Sequence, residues 1–252
     1  MTKKTILILA ANPKDTDRLR LDEEAREIDN GLQRAQRRDD FVLISKWAVR
    51  PRDIHRALLD HKPNIVHFCG HGKGKAGIVL EDNTGESHLV SADALAGLFK
   101  LFANKVECVL LNVSEIQAQA IAQHIDNVIG MDNAMEDKAA LEFAVAFYDV
   151  LGTGESIEFA HKLGCSAIQM AGIQDAHLIP KLIQKNSIPN HHNNGNNTVV
   201  EPAHKQWQLT EAQKDQLIDC LLACNSLKKH DTRETIFQIL PYYDAIEAHN
   251  NS

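Results

Sequence analysis

Residues 47–72, WAVRPRDIHRALLDHKPNIVHFCGHG, contain one complete repeat of the architecture. Pro51 is placed for the first turn of a helix, where its fixed φ helps and its missing N–H is not needed. Ile54, Leu58 and Leu59 then recur at helical spacing, and Pro63 closes the segment. Ile65-Val66-His67-Phe68 follows as a short apolar run rich in β-branched residues, and it enters the glycine-rich turn Gly70-His71-Gly72. The unit reads helix, buried strand, turn.

The same alternation extends in both directions. Upstream, Ile6–Ala10 reads as a buried strand ending at Asn12-Pro13. Leu21, Ala25, Ile28 and Leu32 mark a helix, and Phe41–Ile44 a second strand. Downstream, Gly77–Glu81 and Ser87–Val90 form a hairpin through Asp82-Asn83-Thr84-Gly85. Ser91 opens a helix through Phe102, Val106–Leu111 gives a strand, Ile116–Ile125 a helix and Val128–Met131 a strand. Glu136–Val150 and Ser156–Leu163 read as helices separated by Gly152-Thr153-Gly154. Strands alternating with helices imply right-handed crossovers, so the expected fold class is α/β: a three-layer α/β/α sandwich with a mostly parallel sheet. Chemistry in such folds sits beyond the carboxyl ends of the strands, here after Phe68 and after Leu111.

Composition narrows the function classes. With 44% apolar and 24% charged residues among 252, the chain is globular. Its net charge of −7 gives no basic surface for a phosphate backbone, so nucleic acid is not an expected partner. Cys69, Cys108, Cys165, Cys220 and Cys224 are few, odd in number and mostly within apolar runs, as in a reducing cytoplasm. The apolar run Ile6–Ala11 is too short for a signal peptide or a membrane span. The expectation is a cytoplasmic protein without a membrane partner.

Three divisions follow: a large domain over residues 1–185, a linker over 186–206 containing HHNNGNN, and a small helical module over 207–252. In the module, Leu209, Leu217, Ile218, Leu221 and Leu222 form one helical stripe, and Ile236, Ile239 and Leu240 a second.

The chemistry-bearing stretch is His67-Phe68-Cys69-Gly70-His71-Gly72. Period-two alternation puts His67, Cys69 and His71 on one side while the strand lasts. His67 and Cys69 read as core residues. No further ligand stands at a recognisable metal-site spacing, so neither a metal nor a cofactor is expected. His71, carried past the sheet edge by the turn, is placed to act as general base for a nucleophile on the next strand end. Gly70 and Gly72 shape that turn. Asp132, with Glu136 and Asp137, could form an acidic pocket for a basic residue, or simply a solvated helix N-terminus. Cys108, Cys220 and Cys224 read as small core residues, and Cys165 follows Gly164 at a helix end.

These blocks carry a resemblance. ILILAANP, LRLDEEAREID, WAVRPRDIHRALLDHKPNIVHFCGHG, VECVLLN and IGMDNAMEDKAALEFAVAFYD, in order from about Thr5 to about Lys185, resemble the CHAT-type branch of the caspase-like cysteine peptidases. The resemblance implies a caspase-like sandwich whose base stands in H-x-x-G-H-G, a position His71 takes. It implies a nucleophilic Cys in L-N-A-C-x-S after the following core strand, peptide-bond cleavage, and a role in bacterial conflict and defence. Here that second motif reads Leu111-Asn112-Val113-Ser114-Glu115, two residues short. If Ser114 matches the motif's Ser, the nucleophile is gone; if it matches the Cys, a hydroxyl replaces a thiol and needs a far better oriented base. The continuation Ser-Glu-Ile-Gln favours the first alignment. The expectation is therefore a catalytically inactive domain with a peptide substrate or pseudo-substrate cleft lined by Gly70, Gly72, Asn112 and Asp132. The alternative is an active peptidase pairing His71 with Ser114 or Cys69.

The segment Trp207–Pro241 is similar to helical, death-domain-like effector-associated modules. That similarity implies protein partners recruited by like-with-like contacts, homo-oligomers included, with the linker as a tether.

Overall fold

The computed structural model describes residues 3–73, 76–111, 114–131, 136–173 and 175–185. The expected linker (186–206) and helical module (207–252), with Cys220 and Cys224, lie outside the described residues, as do Asn112, Val113 and Asp132. The elements are β1 (Lys4–Ala11), α1 (Leu21–Arg34), β2 (Phe41–Lys46), α2 (Pro51–His61), β3 (Ile65–Gly70), β4 (Ile78–Glu81), β5 (Ser87–Val90), α3 (Ala92–Leu101), β6 (Cys108–Leu110), α4 (Glu115–Ala122), β7 (Asn127–Met131), α5 (Asp137–Thr153), α6 (Ile157–Met170) and β8 (Pro180–Gln184).

The main sheet runs β2-β1-β3-β6-β7-β8. Its first five strands are parallel, and β8 closes the edge antiparallel to β7. Strand alternation divides the core in two. Leu7, Leu9, Val66, Phe68 and Val109 face one layer, with Leu58 of α2, Phe99 of α3 and Ile121 of α4. Ile6, Ile8, Ile65, Cys69 and Leu110 face the other, with Ile28 of α1, Phe147 of α5 and Ile168 of α6. Covering on both faces is why β1 and β3 read as continuous apolar runs. The architecture is the α/β sandwich expected from the alternation. Among the described residues, no helix is long and apolar enough to cross a membrane.

Local chemistry sets the boundaries. The Asp53 carboxylate accepts from the Arg50 backbone N–H ahead of Pro51, fixing the start of α2. Ser91 Oγ accepts from Ala94 N–H and caps α3. In the β4–β5 turn, Asp82 Oδ1 accepts from Thr84 N–H, the Thr84 hydroxyl and Glu86 N–H. These donors, the Thr84 hydroxyl foremost, hold the Asp82 carboxyl down at about 2.

Four details depart from the sequence reading. Strand β6 is shorter than Val106–Leu111. Helix α5 runs through Gly152 and Thr153 and stops at Gly154, whose φ of 91° ends it. Helix α6 continues to Met170, so Cys165 lies inside it rather than at its end. Strand β8 was not anticipated: its opening Pro180 suggests a breaker, but at a sheet edge the missing N–H is harmless.

Ala11 stands opposite Gly70 in the register, and His67 opposite Leu110. Gly70 adopts φ +154°, and a Cβ there would lie 2.7 Å from the Ala11 carbonyl oxygen. Gly70→Ala should therefore destabilise the domain by about 1–3 kcal/mol in urea unfolding.

Candidate active site

His71 and Ser114 come from the carboxyl ends of β3 and β6, which are neighbours in the sheet. Strand β3 ends at Gly70, and Gly72 forms an antiparallel bridge with Ile78. Val79 N–H donates to the His71 carbonyl, docking the turn on β4. The two glycines thus set the course of the backbone around His71.

The imidazole of His71 is oriented by main chain. Its Nε2 lies 2.7 Å from the carbonyl oxygen of Asp17. A carbonyl can only accept, so Nε2 carries the proton and Nδ1 is the basic nitrogen of the neutral ring. Asp17 lies in the β1–α1 loop, which is fastened at several points. Asn12 Nδ2 donates to Leu19 O, and Leu19 N–H donates to Asn12 Oδ1. Asn12 N–H donates to Glu81 Oε1, while Ser87 N–H and Oγ both donate to Asp15 Oδ1. The Ser87 hydroxyl holds the Asp15 carboxyl below its usual range.

Ser114 sits at the N-cap of α4, its carbonyl accepting from Gln117 and Ala118 N–H. The residue is buried, and its Oγ has no hydrogen-bond partner among the described residues, His71 included. Cys69 is also buried and belongs to the core layer of α1 and α5. Burial first, and the neighbouring Glu24 carboxyl second, push its thiol well above the ordinary range, away from a nucleophilic thiolate. Cys108 is buried as well, and burial, with the Glu107 carboxylate second, pushes its thiol up.

The fold adds a residue that the sequence reading did not single out. Glu24 on α1 is buried, with Oε1 3.5 Å from His67 Nε2. Burial raises the Glu24 carboxyl to about 7 and lowers His67 to about 4. The ring of Tyr148 stacks on His67 at 5.7 Å between centroids. The signal was present: Leu21, Glu24, Ala25 and Ile28 follow i, i+3, i+4, i+7, so a carboxylate stands on the apolar stripe of α1. Asp137, in the first turn of α5, accepts from Arg20 N–H and lines a cavity of about 50 Å³ together with Glu24, His67 and Cys69. Glu136 is exposed at the helix N-cap.

The family model for the CHAT domain matches residues 2–162. A "Roc-COR-CHAT protease" from an unknown prokaryotic organism is 28% identical over 175 residues, covering 66% of this chain and 16% of that protein. A "Probable protease" of Gillisia limnaea is 26% identical over 175 residues, covering 67% of this chain and 31% of that one. The chain thus spans less than a third of the length of either relative. Among solved structures, a secreted C11 cysteine protease from Bacteroides thetaiotaomicron, in complex with an irreversible peptide inhibitor, superposes with a TM-score of 0.56. It is 12% identical, with 74% of this chain and 67% of that chain covered, which makes it a likeness of fold.

The opposed shifts of Glu24 and His67 have separable consequences for stability. A raised carboxyl contributes stability that is complete below its unfolded value, near 4.5, and disappears as pH rises through about 7. A depressed imidazole contributes stability that is complete above 6.5 and disappears as pH falls through about 4. In the wild type the two slopes oppose one another between these limits. In chelator-containing buffer, His67→Gln should lose stability as pH rises from 4.5 to 7, and Glu24→Gln as pH falls from 6.5 to 4. Each change should be on the order of 3 kcal/mol in urea titrations at stepped pH.

Proposed function

Because the chain belongs to the CHAT domain family, we propose that it is a caspase-like domain that has lost its nucleophile and serves as an interaction or regulatory component in bacterial signalling or defence. One observation carries the reading. His71 takes the base position of the motif and is held by the Asp17 carbonyl, while the segment after β6 is two residues short of that motif and Ser114 Oγ has no bond to His71. A general base needs its nucleophile within about 2.6–3.2 Å, allowing for looser geometry before substrate binds. Cys69 is a poor replacement, since it is buried in the α1 layer with its thiol pushed up.

On this reading the cleft at the strand ends holds a peptide as pseudo-substrate, with Gly70 and Gly72 at its floor. Residues 207–252 recruit protein partners, copies of the same module among them, and residues 186–206 act as the tether. The cytoplasm is the compartment that suits its five cysteines.

The experiment is labelling with a peptide-based electrophile that traps cysteine-peptidase nucleophiles, read by intact mass. The wild type should form no adduct. An adduct that disappears in His71→Ala would overturn the proposal in favour of a working dyad. Inserting Ala-Cys between Asn112 and Val113 restores the motif Leu-Asn-Ala-Cys-Val-Ser, and that variant should become labelled in a His71-dependent manner.

A further inference from the structure

We propose that Glu24, His67 and Cys69 form a binding site for zinc, buried under the strand ends, whose cavity shares Gly70 with the turn that carries His71. One donor atom from each residue lies within 4.8 Å of the other two, and all three residues are buried. The Glu24 Oε1 to His67 Nε2 separation of 3.5 Å is long for a hydrogen bond. It is close to the roughly 3.3 Å expected between two ligands on a tetrahedral zinc with bonds of about 2.0–2.1 Å.

Three further observations point to a ligand. The imidazole of His67 is short of partners: Nε2 stands 3.5 Å from Glu24 Oε1 and Nδ1 has no hydrogen-bond partner among the described residues, so one ring nitrogen is open to a metal. A cavity of about 50 Å³ opens beside the three donors, enough for a fourth ligand, since a water needs only about 10–15 Å³. Asp137 lines the same cavity but stands outside the three-donor group, so the fourth position is left to a water. The charge also balances. A Glu24 carboxylate and a Cys69 thiolate with neutral His67 sum to −2, which a divalent ion cancels inside an apolar layer.

The donor set selects the metal. One thiolate, one imidazole and one carboxylate suit a borderline-soft divalent ion, and exclude magnesium and calcium, which prefer oxygen alone. Both acidic ligands lose their protons on binding, so uptake releases protons and strengthens as pH rises. Bound there, zinc would tie α1 to β3 just before the turn that carries His71. The inference is independent of whether the cleft cleaves peptides.

The test uses the full chain, stripped with a chelator and titrated with cobalt as the probe for zinc. The Cys220→Ser/Cys224→Ser background removes the tail thiols. One equivalent should bind, with thiolate-to-cobalt charge transfer and the intense visible bands of a four-coordinate ion. Glu24→Gln should weaken binding by at least tenfold, and Cys69→Ser should abolish the charge-transfer band. In the same background, zinc-edge X-ray absorption should show a single sulfur ligand, which holds the proposal to account even if the Cys69 variant fails to fold. No uptake, more than one sulfur, or a charge-transfer band that survives Cys69→Ser would overturn it.

Discussion

The parallel pairing of β1 with β3, buried on both faces, is the constraint from which the other features follow. Ile6 through Ala11 and Ile65 through Cys69 are packed above and below, so a side chain on these strands is committed to one core layer or the other. Functional groups can then stand in two places. Most are displaced beyond the strand ends, where His71 emerges. The remainder are held inside, and a polar group held inside must find partners within the protein. His67 is that case: a histidine in the middle of a core strand, set against a carboxyl from α1 and a thiol from its own strand.

The fold was legible because these rules are written in residue types. Pro51 and Pro63 bracket α2, Ser91 caps α3, and the Asp82–Gly85 turn signals the hairpin. Features that rest on context were harder to read. Pro180 suggests an interruption until one knows that it begins an edge strand. Gly152 suggests a helix end, yet it lies buried in α5, where a Cβ would meet that of Ala35 at 2.5 Å, so a small residue is required for packing.

The candidate site divides along the same line. His71 and the shortened segment before Ser114 are visible as letters and spacing. The partner of His71 is invisible in this sense, because the group that orients it is a carbonyl, and every residue has one. Glu24 occupies an intermediate position. It stands on an apolar stripe in plain sight, but its meaning depends on His67 arriving on a different element, which periodicity alone does not report.

The two halves of the cleft also differ in how they can be lost. A nucleophile is a single side chain, and changing one codon or deleting two removes it. The acceptor that aligns His71 belongs to the main chain at position 17, so no replacement of that side chain deletes the atom itself. The supporting loop can drift in sequence as long as its path is kept by the contacts of Asn12 and Asp15. In a lineage that abandons catalysis the imidazole can go in one substitution at position 71, whereas the carbonyl that orients it outlasts any side-chain change at position 17. On the proposed reading, an imidazole still aligned by that carbonyl leaves the scaffold a two-residue insertion away from a complete pair of reacting groups.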